Sequence, residues 1–341
     1  MRKVAYLLGA GASAQRLPVI ASMSAVILEQ IEWLKNELPS EISALVGARP
    51  DLNSQLEKYL KSLNDIAVES VKYVSVDTYA RWLNNDWKLS EVKATLSTFF
   101  AIEQFRKGYD PRYESFVSTL LDHGEKKLNS DAVILTWNYD QHLAQVLMKS
   151  TGSVSLKNVM RQHSITTLYR LQDQQITDYQ VLHLNGIAGM YGRGQDYPIL
   201  DSYEPDNLTL QNLHSWLGHF ETLSMEPHNL KGSPINLLCY SWEALPVSHI
   251  FWEGVTKSLN DVEKLVVIGY SFPDLNRAID RRLLLSMSKL KEVVVQTRAD
   301  AMDGIMTKLQ MILPELKDRL VPYPLVHEFY VPNELITATK G

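Results

Sequence analysis

The stretch MRKVAYLLGAGASAQRLP, residues 1–18, supports two readings that send the protein to different places. A basic start, an apolar middle and the small residues Ala12-Ser13-Ala14 match the outline of a secretory leader. The same letters describe a buried strand, Val4 to Leu8, running into a glycine turn, Gly9-Ala10-Gly11, that can receive a phosphate. A leader needs ~7 to 15 apolar residues and a membrane helix ~20, whereas this run is short and two glycines interrupt it. The strand reading is preferred, and no later stretch is long enough to span a bilayer.

The chain has 341 residues, 45% of them hydrophobic, enough to bury one large core or two modest ones. A net charge of -5 gives no broad attraction to nucleic acid, so direct binding of nucleic acid is not expected. Cys239 is the one cysteine. Secreted proteins of this size more often carry paired cysteines, so a cytoplasmic location is expected.

Beyond the glycine turn, Ile27, Ile31, Leu34 and Leu38 recur at helical spacing, and Leu56, Leu60, Leu63 and Ala67 repeat the pattern. TYARWL, LSEVKATLSTFFAIEQF and YESFVSTLLDHGEKKL continue it, so residues 20 to 130 read as a helical block inserted between strands. The texture then changes to short runs rich in Val, Ile and Leu: AVILTW (132–137), YQVLHL (179–184), INLLCY (235–240), KLVVIGY (264–270) and KEVVVQT (291–297). Such runs fit strands buried on both faces. Helical stretches such as DQHLAQVLMK, LNRAIDRRLLLSM and DAMDGIMTKLQMIL lie between them, which predicts an α/β fold with a Rossmann-like, mostly parallel sheet over residues 1–330. Residues 188 to 232 carry turn residues with little periodicity and read as a lid or surface excursion, and 331–341 as a tail.

Polar groups cluster where these apolar runs end. Gly9-Ala10-Gly11-Ala12-Ser13 allows backbone amides to approach an anion, with a helix N-terminus nearby adding positive potential. A dehydrogenase would carry an acidic residue at the end of a second strand ~20 residues on, and that place is taken here by the helical AVILEQIEWLKNEL. Thr136-Trp137-Asn138-Tyr139-Asp140 follows AVIL, where Asn138 or Asp140 could serve a ligand or cap the next helix. His183-Leu184-Asn185-Gly186 ends a third run, and histidine suits proton exchange at neutral pH. Gly269-Tyr270-Ser271 ends a fourth.

That set, in that order, resembles the SIR2 (sirtuin-like) superfamily, whose members carry a GAG-x-S loop, a T-x-N-x-D motif, an H-x-x-G or HG histidine and a late G-x-S turn. The resemblance implies NAD as ligand, held by Gly9, Ala10, Gly11, Ser13, Thr136, Asp140, Gly269 and Ser271, with Asn138 and His183 catalytic. The departures narrow it. Zinc modules of the deacylases need four ligands from two C-x-x-C pairs, and one cysteine cannot supply them, so no zinc is expected. The glutamine before the motif asparagine is Trp137 here, and Arg16 stands where a glycine precedes the proline. The pattern is similar to the zinc-free SIR2-like NAD hydrolases of bacterial anti-phage defence, which deplete NAD when a partner or phage signal activates them. This likeness implies cleavage of NAD to nicotinamide and ADP-ribose by a cytoplasmic homo-oligomer, with an activating protein such as a defence-linked ATPase as partner. A non-catalytic NAD- or ADP-ribose-binding module and a zinc-free deacylase are the alternatives.

Overall fold

Val4–Leu8 forms β1, and all five of its residues are buried. Val4, Tyr6 and Leu8 point into one hydrophobic core, while Ala5 and Leu7 point into a second, so both faces of the strand are covered. This is why the run is continuously apolar rather than alternating. The computed structural model describes residues 3–73, 75–83, 86–122, 124–167, 179–192, 196–198, 208–224, 235–244 and 249–336.

Between β1 and the next long strand lie helices α1 (Met23–Asn36), α2 (Ser40–Gly47), α3 (Pro50–Lys72), α4 (Val76–Trp82), α5 (Asp86–Lys107) and α6 (Arg112–Leu120). The stripes read from spacing on α1 and α3 are buried. Pro50 starts α3 at a position where the missing N–H costs nothing. α5 buries residues all round its axis, among them Val92, Leu96, Phe99, Ile102 and Phe105, as expected of a helix enclosed by its neighbours. A short antiparallel pair, β2 (Leu121–Asp122) and β3 (Lys127–Leu128), closes the insertion.

The chain then supplies β4 (Ala132–Thr136), β5 (Ile165–Thr167), β6 (Val181–His183), β7 (Gly186–Gly192), β8 (Asp196–Pro198), β9 (Ile235–Leu238), β10 (Lys264–Ile268), β11 (Glu292–Gln296) and β12 (Leu320–Tyr323). Seven strands make one parallel sheet in the order β12-β11-β10-β1-β4-β6-β5. The fold is α/β and Rossmann-like, with the helical insertion on the Val4/Tyr6/Leu8 face. Helices Arg277–Ser286 and Ala299–Ile312 pack on the other face through Ile279, Leu283, Ile305 and Leu309.

Two expectations are corrected. INLLCY is not a strand of the parallel sheet: β9 pairs antiparallel with β7 in a separate three-stranded sheet, β8-β7-β9. The segment 188–232 is not simply loose. It holds most of β7 and a helix, Leu210–Ser224, whose Leu213, Trp216, Leu217, Phe220 and Leu223 are buried. Trp216 packs edge-to-face on Phe105 of α5. Within that segment, residues 193–195, 199–207 and 225–232 lie outside the described residues. The stretch read as a tail is packed through its first half, with Leu335 fully buried and Glu334 paired to Lys264 at 2.9 Å.

Candidate functional site

β10, β1, β4 and β6 are consecutive in the sheet, so the polar turns that follow them leave from one carboxyl edge. From β1 the chain builds one side of the sheet through β4 and then crosses back to build the other side from β10. Open α/β sheets hold ligands at such a reversal, because the two loops diverge and leave a crevice.

Here the β1 and β10 loops touch. The Gly9 N–H donates to the Ile268 carbonyl at 3.0 Å and the Gly11 N–H to the Gly269 carbonyl at 2.9 Å. A Cβ on Gly11 would stand 2.7 Å from Gly269 Cα, and one on Gly269 2.5 Å from Gly11 Cα. Gly269 also has φ of 59°, in the left-handed region that glycine tolerates. Gly9 and Gly11 therefore join two backbones, and Ala10 is the exposed tip. The loop continues as a single 3-10 turn, Ala10–Ser13, and the first α-helix after the glycines is α1, which begins only at Met23. Behind the loop, Arg112 donates from Nη2 to the Gly11 and Ala12 carbonyls at 3.0 and 3.1 Å. Asp110 holds that guanidinium at 2.6 Å and accepts the Gln15 N–H at 3.1 Å.

The T-x-N-x-D residues meet the loop side by side. The Asn138 Nδ2 donates to Ser13 Oγ at 3.2 Å, and that hydroxyl donates to Asp140 Oδ2 at 2.7 Å. The other Asp140 oxygen accepts the His142 N–H at 3.1 Å, the first of the following helix, whose N-cap is Gln141 and neither Asn138 nor Asp140. The Thr136 hydroxyl accepts the Asn138 N–H at 3.0 Å and fixes the turn from beneath. His183 is buried with Nδ1 3.3 Å from the Asn138 carbonyl oxygen. In the neutral ring Nδ1–H donates there and Nε2 keeps its lone pair. Burial pushes the imidazole pKa down to about 4, against the opposing pull of Asp140 and the Asn138 carbonyl, so His183 is neutral at pH 7.

A cavity of about 350 Å3 opens between these loops and the helical insertion. Of the residues singled out in the sequence, Ala10, Ser13, Asn138, Asp140, Gly269 and Ser271 line it, whereas Gly9, Gly11, Thr136 and His183 stand behind its wall. Asn185 and Tyr270, inside two of the quoted motifs but given no role there, also line it, as do Asp77 and Asn276, which no motif marks. Among the described lining residues there is no Lys, Arg or His. Asn185 sits where the chain passes from β6 to β7, its amide oxygen buried without a donor. No protein-family model and no curated protein matches this chain. Among the described residues no group of three or more His, Cys, Asp or Glu could hold a metal ion, and no helix is long and apolar enough to cross a membrane.

Trp137, which stands where the deacylases have glutamine, forms part of the cavity wall with Tyr270. Their rings stack at 5.9 Å and 14°, and both are pinned to Asp280: Trp137 Nε1–H at 3.0 Å and the Tyr270 hydroxyl at 2.9 Å. Burial pushes the Asp280 carboxyl up to about 8, against those two hydrogen bonds. The folded protein therefore holds a proton that the unfolded chain has already released above its ordinary value of 3.8, and stability falls as pH rises from there to about 8. Asp280→Asn keeps an acceptor for Trp137 and removes the titrating group, at the cost of replacing the oxygen that accepts from Tyr270 with an amide N–H donor. We expect it to raise the thermal midpoint more at pH 8 than at pH 5, the difference corresponding to roughly 2–4 kcal/mol. An equal shift at both pH values would show that Asp280 does not titrate in this range.

Proposed function

We propose that the protein hydrolyses NAD to nicotinamide and ADP-ribose. The observation that carries this reading is the gathering of the β1, β4 and β10 turns around one cavity at the strand-order reversal, with the β6 histidine bonded to the β4 turn. Breaking the nicotinamide–ribose bond passes through an oxocarbenium-like state, and the base leaves neutral from a cation, so no general acid is needed. The site has to bind the pyrophosphate, hold the ribose, and place and deprotonate a water. The exposed Ala10 tip and the Gly269–Ser271 turn are the backbone available to the pyrophosphate. Asn138, its Nδ2 fixed by Ser13, has an amide oxygen free of protein donors among the described residues and orients the water or a ribose hydroxyl. His183, neutral, behind the cavity wall and with its tautomer set by the Asn138 carbonyl, is assigned the base for a water that must reach its Nε2 from the cavity.

Purified protein incubated with NAD and resolved by chromatography should yield nicotinamide and ADP-ribose in equal amounts. Binding of NAD with no turnover would favour the non-catalytic module instead. We extend the proposal to an effector of anti-phage defence that self-associates and answers to an activating protein, such as a defence-linked ATPase. Exposed Val71 (69%) on α3 and Trp82 (67%) on α4 support a self-associating surface on the insertion. Light scattering at micromolar concentration should report a mass above the 38.8 kDa of one chain, and a monomer would remove the self-association.

A further inference from the structure

Among the described residues, the insertion contributes one acidic side chain to the cavity. Asp77, in the first turn of α4, lines it and accepts a hydrogen bond from the Tyr139 hydroxyl at 3.0 Å through Oδ1. Its Oδ2 has no protein donor, and no cation pairs with it, among the described residues. Asp140, the other carboxylate of the wall, differs: both its oxygens are engaged, by Ser13 and by the His142 N–H. Burial raises the Asp77 carboxyl above its ordinary value, with the Tyr139 hydrogen bond opposing, as expected of a charge that lacks its counter-ion.

The surroundings of Asp77 are aromatic and short of partners. Phe100, Tyr139 and the stacked Trp137–Tyr270 pair line the same cavity. Asn185, only 6% exposed, adds a buried amide oxygen with no donor. Acceptor oxygens and aromatic rings, with no basic residue among the described lining residues, make a wall suited to a flat organic cation.

We infer that Asp77 is a specificity-determining residue that selects the cationic nicotinamide ring, so that the cavity prefers the oxidised dinucleotide to the reduced one. The inference rests on the NAD reading above and deepens it. Of the two wall carboxylates, Asp77 is the one placed for an electrostatic role. A carboxylate whose oxygens both accept hydrogen bonds, as those of Asp140 do, has less left to offer a passing cation than one with a free oxygen. As the glycosidic bond breaks, positive charge moves from the ring to the ribose, and a carboxylate at this place favours both states. NADH has nearly the same shape and the same pyrophosphate, but its dihydropyridine ring is neutral. Repulsion between the carboxylates and the phosphates therefore cancels in a comparison of the two ligands, leaving the ring charge.

The test is calorimetric titration of the full chain with carba-NAD, a cationic analogue that cannot be hydrolysed at this bond, and with NADH. Wild type should bind carba-NAD at least ~10-fold more tightly than NADH, a ratio that a single close charge can supply in a partly buried site. Asp77→Asn, which keeps an acceptor for Tyr139, should bring the ratio to within ~2-fold, whatever relief of phosphate repulsion it gives both ligands alike. Asp77→Glu, which keeps the charge, should retain a preference and separates loss of charge from loss of shape. An undiminished ratio in Asp77→Asn overturns the inference while leaving the NAD site standing. Failure of wild type to bind either dinucleotide removes the NAD reading and this inference together.

Discussion

Asn138→Ala and His183→Ala should each lower NAD cleavage ~100- to 10,000-fold, the range that a base and its positioning partner contribute. The two are expected to be non-additive, because His183 holds the backbone carbonyl of Asn138 at 3.3 Å and the pair acts as one unit. The buried position of His183 allows its two possible contributions to be separated. If Nε2 takes the proton from water, the wild-type rate should hold from pH 8 to near 5 and fall as the imidazole becomes charged at about 4. His183→Gln would then be as inactive as the alanine variant, although its amide can still donate to Asn138. If His183 only fixes the turn, His183→Gln recovers most of the rate. Full activity in both alanine variants would contradict the assignment of these residues.

The second large effect is expected at the joint of the β1 and β10 loops. From sequence alone, Gly11→Val reads as a side chain blocking the approach of a pyrophosphate. The structure gives another reason for the same outcome: the added Cβ would lie 2.7 Å from Gly269 Cα, and backbone on backbone has no flexible end to yield. Gly269→Ala meets the Gly11 backbone in the same way and adds the strain of a left-handed φ. Each substitution should destabilise the fold by about 1–3 kcal/mol and weaken NAD binding, even in a His183→Ala background. Ala10→Val is the contrast, since Ala10 is exposed on the cavity: it should affect NAD binding with little change in thermal midpoint. Unchanged stability in Gly11→Val would show that the loops can part without cost.

The parts of the fold that could be read early are those where the physics is local. β1, β4, β10 and β11 lie inside a parallel sheet, and burial on both faces leaves continuous apolar runs. INLLCY has the same texture because β9 is also buried, but the identity of the neighbouring strand is a long-range fact, and here the partner is β7. β12 escaped notice because it is partly exposed and carries Pro322, and β5 because it is only three residues long and two of them are threonine, although all three are buried. The helix Leu210–Ser224 does carry apolar residues at helical spacing, from Leu213 through Leu217 and Phe220 to Leu223, and the turn-rich flanks obscured it.

For the site, order along the chain placed the polar turns at strand ends, and the sheet order then brought them together. What the letters did not distinguish was wall from support. Thr136 and Gly11 look like ligand contacts, yet one closes a turn and the other closes a joint. Asp77, Asp280 and Arg112 reach the site from helices far along the chain, and a carboxylate or guanidinium on a helix has no local feature that marks it as facing inward.

The most direct test of one NAD site shared by these loops is a crystal structure of the His183→Ala variant grown with saturating NAD. The dinucleotide should span the carboxyl edge, its pyrophosphate at the Ala10 and Gly269–Ser271 turns and its nicotinamide riboside between Asn138 and Asp77. NAD bound away from this cavity, or no NAD bound at saturation, would contradict the account.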